Sequence, residues 1–145
     1  MTFFQLYGQK LLTATGVHLL YVLLSVLIGF VVALVLGILL SRAPRLARYV
    51  LPLISVFQTI PGVVFVGVLF LYTGMKPVTV IIALAIYAMF PILKNTYIGL
   101  LEVDPSLIEA ARGCGMSRSE RLFELELPLA APSIIAGLRM STVYT

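Results

Sequence analysis

The chain has 145 residues, of which 61% are hydrophobic and 11% charged, and its formal net charge is +4. Soluble domains carry about 45–50% apolar and about 25% charged residues, so the composition indicates a lipid bilayer as the main solvent. A single cysteine, Cys114, and a single histidine, His18, exclude a disulfide framework and a Cys- or His-rich metal cluster. The ten basic residues lie between apolar runs and form no continuous stripe, which argues against nucleic-acid binding.

Uncharged runs predict the membrane spans. Between Lys10 and Arg42 there is no Asp, Glu, Lys or Arg, and this run exceeds the roughly 30 Å hydrocarbon core. The third uncharged run, at residues 77–93, is short for a span, but Lys94 at its end can extend its side chain to the membrane interface. The predicted segments are an outer-side segment at residues 1–16 and a membrane domain at 17–145, with spans at about 18–40, 50–73 and 77–93.

The distribution of basic residues predicts the orientation. Arg42, Arg45 and Arg48 fill the first loop, Lys76 stands alone in the second, and five basic residues follow the third span. The positive-inside rule then makes the first loop and everything after the third span cytoplasmic, with the N-terminus outside. Three apolar spans alone do not distinguish a transporter from a membrane-embedded interaction or assembly protein.

The segment after the third span predicts a short helix with defined ends. Asp104 is a good N-cap and Pro105 suits the first helical position, where its missing N–H is not needed. Arg112 favours the C-terminal end, Gly113 is expected to take the left-handed conformation that closes the helix, and Gly115 to permit a second sharp turn.

A second helix is predicted to start at once. Ser117 and Glu120 have capping-box spacing, and the helix is expected to run to about Glu126, before Pro128 and Pro132 punctuate the approach to the next apolar stretch.

An apolar stripe on the first of these helices consists of Leu107, Ile108 and Ala111, which are neighbours at helical spacing. The stripe needs something to bury it. It either packs on its own chain or forms a knob that fills a groove on a soluble partner. The residues alone leave both readings open.

The spacing of the same segment resembles a known family. Glu109-Ala110-Ala111 is followed after three residues by Gly115 and after nine more by Leu125-x-Leu127-Pro128. This pattern resembles the EAA loop of binding-protein-dependent ATP-binding-cassette permeases, with Leu125 in place of the usual isoleucine. The resemblance implies an all-α integral membrane protein of the type I (MetI-like) importer kind, in the bacterial plasma membrane, with the EAA loop at about residues 104–128.

Three further segments resemble one branch of that family, the permeases for glycine betaine, carnitine and choline. They are residues 57–61 (Phe-Gln-Thr-Ile-Pro), 91–97 (Pro-Ile-Leu-Lys-Asn-Thr-Tyr) and 103–105 (Val-Asp-Pro). The resemblance extends from about residue 15 to the end and implies import of small quaternary-ammonium osmoprotectants. Methionine or another amino acid remains the alternative cargo. Members of the family continue through further spans, and after Arg139 only six residues remain, so we expect a truncated permease that stops in a fourth span starting near residue 136.

In this family the EAA loop docks on the ATPase. The resemblance implies two ATPase subunits, a second permease subunit (identical or paralogous) and an extracytoplasmic binding protein as partners, besides lipid. The coupling residues carried over are Leu107, Ile108, Glu109, Ala110, Ala111, Gly115, Leu125, Leu127 and Pro128. No G-x-x-x-x-G-K-[ST] phosphate loop occurs, so we expect no catalytic residue, cofactor or metal in this chain, with ATP and Mg²⁺ held by the partner ATPase.

Candidate pathway and gating residues lie in the spans. Pro61 and Pro91 are expected to make their spans bistable, because a proline inside a helix frees a carbonyl. Gln58, Thr59 and Asn95 either line the pathway or have structural roles, Gln58 and Thr59 bonding between helices and Asn95 sitting at the interface. The spans contain no Asp or Glu, which argues against a proton-coupled carrier.

Overall fold

A computed structural model describes the backbone of residues 3–145 and the side chains of residues 7–145; Met1 and Thr2 of the predicted outer-side segment lie outside the described residues. The described chain is helical and contains no strand, which confirms the all-α prediction. In chain order the elements are α1 (Phe3–Ser41), α2 (Pro44–Phe57), α3 (Gly62–Thr73), α4 (Pro77–Leu101), α5 (Pro105–Gly113), α6 (Arg118–Glu120), a π-helical segment (Arg121–Glu126) and α7 (Leu127–Tyr144).

Helix α4 lies between α1 and α7. It runs parallel to α1, because the Ser25 hydroxyl donates to the Ile81 carbonyl (3.2 Å) near the start of α4, whereas Gly37 packs against Thr96 towards its end. It runs antiparallel to α7, whose Ser141 hydroxyl near the C-terminus donates to the Ala88 carbonyl (2.8 Å). Three long helices therefore form the bundle to which the other elements attach.

Small residues let α1 approach α4 closely. Ser25, Gly29, Ala33 and Gly37 recur at every fourth position of α1, and Ser25 and Ala33 are fully buried. A Cβ on Gly37 would lie 2.7 Å from Thr96 Cγ2, and one on Gly29 2.8 Å from a backbone oxygen of α4. Within lipid, helix association depends on such close packing and on interhelical hydrogen bonds.

The contact between α4 and α7 is built in the same way. A Cβ on Gly99 would lie 2.7 Å from Ser133 Cβ, and one on Gly137 2.8 Å from Asn95 Cβ. Ala130 is almost fully buried beside Gly99. Both helix contacts of α4 therefore depend on close approach of the backbones.

Residues 50–73, predicted as one span, contain two helices, α2 and α3, that meet at an angle of 93°. Pro61 has no N–H to donate, and it restricts the preceding Ile60 to extended backbone. The Thr59 hydroxyl donates to the Val56 carbonyl (2.7 Å), a local bond at the end of α2. By length and composition two described helices, α1 and α4, can cross a membrane, and the bent pair makes a third if it is one span.

The other predicted boundaries also move. α1 is helical from Phe3, well before residue 18, and α4 continues past Lys94 to Leu101. The partial fourth span, expected from about residue 136, lies within α7, which begins at Leu127. Pro132 stays inside that helix and does not end it. Uncharged runs locate the apolar part of a helix, whereas hydrogen bonding continues beyond it into polar residues.

We expect Gly37→Ala to destabilise the bundle by about 1–3 kcal/mol, because the new methyl group overpacks the contact with Thr96. Gly16→Ala in the same helix is the matched control, since nothing lies within 4 Å of its added Cβ. The control should be neutral or slightly stabilising, because alanine favours helix. Thermal unfolding of the two purified variants in the same detergent measures the difference, and equal midpoints would contradict close packing at Gly37.

Candidate functional site

The short helix α5 begins with the predicted cap. Asp104 Oδ1 accepts a hydrogen bond from the Ser106 N–H at 2.8 Å, and Pro105 occupies the first turn. The same backbone hydrogen bond, with a further contribution from the Ser106 side chain, lowers the pKa of the Asp104 carboxyl below its ordinary value of 3.8. The N-terminus of α5 is therefore fixed by its own sequence.

The C-terminus of α5 closes differently from the prediction. Gly113 is the last residue of α5, and Gly115 rather than Gly113 takes the left-handed conformation, with φ +82°. The Gly115 N–H donates to the Arg112 carbonyl (3.0 Å) and the Met116 N–H to the Ala111 carbonyl (3.1 Å). This pair of bonds is a Schellman motif, which requires the left-handed residue two positions after the last helical one.

The capping box at the next helix start is confirmed. The Glu120 N–H donates to Ser117 Oγ (3.3 Å), and the Ser117 N–H donates to Glu120 Oε2 (2.7 Å). The latter bond is the main cause that lowers the pKa of Glu120. The helix does not stop at Glu126, because the π-helical segment leads directly into α7.

The residues of the apolar stripe separate into two groups. Ala111 is buried and Ile108 half-buried, whereas Leu107 is 43% exposed. Glu109 and Ala110 are also exposed, and Glu109 makes no hydrogen bond or ion pair with any residue from 7 to 145. One side of the stripe therefore packs within the chain, next to the π-helical segment, and Leu107 at its edge faces outwards. The reading as a knob for a soluble partner stays a prediction.

The distal part of the predicted loop lies against the bundle. Leu125 and Leu127 are half-buried, and Leu127 packs on a core cluster that contains Leu100, Ala130 and Ile134. Pro128 is exposed in the first turn of α7. These positions hold the segment in place and leave the outward surface to α5.

A buried ion cluster, which the sequence analysis missed, joins this segment to α1. Glu126 has a side chain only 2% exposed and accepts hydrogen bonds from Arg42 Nη2 and from Arg121 Nε, the latter at 3.4 Å. Arg121 is buried, and the Arg42 side chain is 49% exposed. These three residues, the Glu126 cluster, connect parts of the chain 84 positions apart.

The π-helical segment explains the geometry of the cluster. Residues five apart lie on different faces of an α-helix, but here the Leu127 N–H bonds to the Leu122 carbonyl five residues back. The wider turn brings Arg121 and Glu126 to the same side. A signal existed in the sequence, because Glu126 stands between Leu125 and Leu127 in a mainly apolar stretch, and a buried carboxylate requires a basic partner.

The candidate gating residues fall in two places. Gln58 and Thr59 are exposed at the bend, and Pro61 marks its end. The Thr59 hydroxyl donates within its own turn, to the Val56 carbonyl. The rings of Phe57 and Phe90, with centroids 6.1 Å apart, connect this bend to α4.

Pro91 and Asn95 lie on α4, where both are next to Gly137 of α7. Pro91 is buried, and Asn95 Nδ2 donates to its carbonyl oxygen at 2.8 Å. Asn95 also faces Gly137, so it belongs to the contact between α4 and α7. Among the described residues no group of three or more His, Cys, Asp or Glu side chains is placed to hold a metal ion.

Long apolar helices, a bent helix pair and close packing through small residues define a polytopic helical membrane protein. The sequence profile of the family described as "Binding-protein-dependent transport system inner membrane component" matches residues 25–145, and the chain belongs to that family.

Curated relatives come from several bacteria. The chain is 42% identical to the carnitine transport permease protein OpuCB of Listeria monocytogenes. The alignment extends over 144 residues and covers 99% of this chain and 66% of the relative. It is 40% identical over 144 residues (99% and 66%) to the glycine betaine/carnitine/choline transport system permease protein OpuCB of Bacillus subtilis. The choline transport system permease protein OpuBB of the same organism is 38% identical over 142 residues (98% and 65%). The chain thus spans about two thirds of the length of these relatives, 65–66%.

We expect Glu126→Gln to cost about 3–5 kcal/mol of stability, because it leaves the buried Arg121 and the partly buried Arg42 without a counter-charge. Arg42→Gln should cost less, since Glu126 keeps Arg121 and Arg42 is half exposed. Glu124 in the same segment is exposed and forms no ion pair in the described chain, so Glu124→Gln should change stability by no more than about 0.5 kcal/mol. Denaturant unfolding in detergent measures all three, and equal losses for the Glu126 and Glu124 variants would refute the cluster.

Asp104→Ala should raise the amide exchange rates of α5 by about threefold to tenfold at pH 7, whereas Asp104→Asn, which keeps a capping oxygen, should change them little. Because the folded-state pKa of Asp104 is lowered, the contribution of its carboxylate is complete above pH 3.8 and is lost as pH falls through the lower folded value. Hydrogen exchange, corrected for intrinsic rates, should show this loss in the wild type and not in the Asn variant. A pH-independent wild type would contradict the cap.

Proposed function

We propose that this chain carries the ATPase-coupling part of the permease of an ATP-binding-cassette importer, with α5 as the coupling helix. The observation that carries the proposal is the division of α5 into two faces. Ala111 is buried and Ile108 half-buried on one side, Leu107 lies exposed at the edge of that side, and Glu109 is exposed on the opposite side. A helix that must transmit force needs both an anchored side and a side on which a partner can press.

The anchoring extends from α5 into the membrane helices. The Schellman closure at Gly115 leads into α6, and α6 continues through the π-helical segment into α7. The Glu126 cluster ties that segment to the end of α1. Displacement of α5 would therefore move α7 and α1 against α4, a change between packed states rather than a local loop movement.

The orientation and the partners belong to the same proposal. Arg42 of the first loop lies at the same end of the bundle as Arg112, Arg118 and Arg121 of the later segment, as the positive-inside rule requires of one cytoplasmic side. α5 then faces the cytosol and an ATPase there. ATP and Mg²⁺ are held by two ATPase subunits, a second permease subunit completes the pathway, and a binding protein delivers cargo from the outer side of the plasma membrane.

For the cargo we propose small quaternary-ammonium osmoprotectants. Relatives at about 40% identity are named for carnitine, glycine betaine and choline transport. The predicted spans contain no acidic residue, so this chain holds no cation through a carboxylate there. Selection of the ammonium group falls to the separate binding protein, where aromatic side chains can attract it.

Thiol crosslinking tests the coupling helix. With Cys114 replaced by serine, Leu107→Cys should crosslink to a cysteine in the docking groove of the co-expressed ATPase, because Leu107 is exposed on α5. Met75→Cys is the control, since it is 87% exposed between α3 and α4, away from α5. In intact cells a membrane-impermeant thiol reagent should label the Met75 variant and spare the Leu107 variant. Labelling of Leu107→Cys from outside would refute the proposed orientation.

Uptake by the complete transporter tests the cargo. Excess unlabelled glycine betaine, carnitine or choline should inhibit uptake of the labelled substrate, and excess methionine should not. Inhibition by methionine alone would favour an amino-acid permease. No ATPase crosslink and no uptake would favour an interaction or assembly protein without transport.

A further inference from the structure

A cavity of about 560 Å³ lies where α1, α5 and α6 meet, and arginines dominate its walls. Its lining residues are Ile38, Arg42, Arg112, Arg118, Ser119, Arg121 and Leu122, a set referred to below as the basic pocket. Four arginines line it, and the neighbouring Glu126 neutralises one positive charge. The net charge of the pocket together with Glu126 is therefore +3.

The Glu126 cluster does not account for all of this charge. Arg112 and Arg118 are exposed and form no ion pair within residues 7–145. The nearby Glu120 carboxylate is directed to the backbone of Ser117. Two guanidinium groups with free donors thus face the same cavity as a pair already fixed by Glu126.

The placement of two of the arginines runs against helix electrostatics. Arg118 and Arg121 lie in the first turns of the helix that continues to Tyr144, where the macrodipole disfavours positive charge. A charge that is unfavourable for its own helix is expected where the residue belongs to a binding site and does not serve to stabilise the fold. A bound anion would remove the conflict, because it would be attracted both by the guanidinium groups and by the dipole.

The position of the pocket decides the kind of anion. Arg42 is the first charged residue after the long uncharged run of α1, and Ile38, one turn earlier in that run, lies in the wall with Leu122. The basic pocket therefore spans the boundary between apolar helix and charged end. Below it, Val35 and Leu39 of α1 are exposed, by 52% and 59%.

We propose that the basic pocket binds the phosphate group of an anionic phospholipid, with its acyl chains along the exposed side of α1. Guanidinium groups suit phosphate because they donate two parallel hydrogen bonds. Basic pockets between helices at the membrane surface are sites for anionic headgroups. A soluble anion would gain nothing from the apolar part of the wall. The site depends on membrane embedding and not on the proposed cargo or the ATPase.

Lipid retention by the full chain tests the proposal. Native mass spectrometry of the protein titrated with dioleoyl phosphatidylglycerol should show one tightly retained lipid, and dioleoyl phosphatidylcholine should be retained much less. The pair Arg112→Gln/Arg118→Gln, which breaks no ion pair, should weaken retention by roughly tenfold or more. The Lys variants of the same two residues keep the charge but lose the paired hydrogen bonds, so their retention should lie between that of wild type and that of the Gln pair, which separates loss of charge from loss of fold.

Arg45→Gln/Arg48→Gln is the matched control, because both arginines are exposed and line a different cavity beside α2. The control should stay within about twofold of wild type. Equal weakening by both Gln pairs would overturn the proposal in favour of diffuse charge attraction. Displacement of the lipid by millimolar inorganic phosphate would overturn it in favour of a free-anion site. Unchanged lipid retention in the Arg112/Arg118 variant, with loss of the co-expressed ATPase, would identify a protein-docking surface instead.

Discussion

Close approach of α1, α4 and α7 is the constraint on which the rest of the structure depends. Apolar side chains gain little by leaving lipid for a protein interior, so these helices associate through backbone proximity and a few hydrogen bonds. Glycines on α1, α4 and α7 leave no room for a Cβ at the contacts, and the Ser25 and Ser141 hydroxyls donate to carbonyls of α4. Only with that spacing do the end of α1 and the start of α7 lie near enough for Arg42 to reach Glu126.

The Glu126 cluster converts the membrane bundle into a support for α5. A carboxylate that is nearly inaccessible to water is costly unless it is paired, and both partners come from ordered elements. The π-helical segment supplies one of them by changing which residues share a face. The π-helical turn therefore fixes the buried charge of Glu126. It places that charge beside the region where the end of α1, α5 and α6 line the same pocket.

Much of the fold was predictable from the sequence where local chemistry decides it. The Asp104 cap and the Ser117–Glu120 capping box are confirmed, because each depends on residues within three positions of one another. The left-handed turn was assigned to Gly113 and belongs to Gly115, since two neighbouring glycines satisfy the same local rule. Pro61 was predicted to make its span bistable; the structure places it at a 93° bend between two helices, since a proline can also end a helix.

The less predictable features depend on distance in space. Nothing local in Arg42 identifies Glu126 as its partner, and hydropathy treats Gly29 and Gly37 as ordinary apolar positions. Small residues at every fourth position of α1 indicated a helix–helix contact, but they did not specify which helix packs there. The roles proposed for Leu107, Glu109 and the other loop residues depend on a partner protein and stay predictions.

The continuity of the chain from Arg118 to Tyr144 has a mechanical consequence. A helix without an intervening loop acts as a lever, and α7 alone is about 27 Å long at 1.5 Å per residue. A rotation of about 10° at its first turn would carry its far end by roughly 5 Å, about the rise of one helical turn. Small displacements at the end that carries α5 are thereby amplified at the opposite end of the bundle.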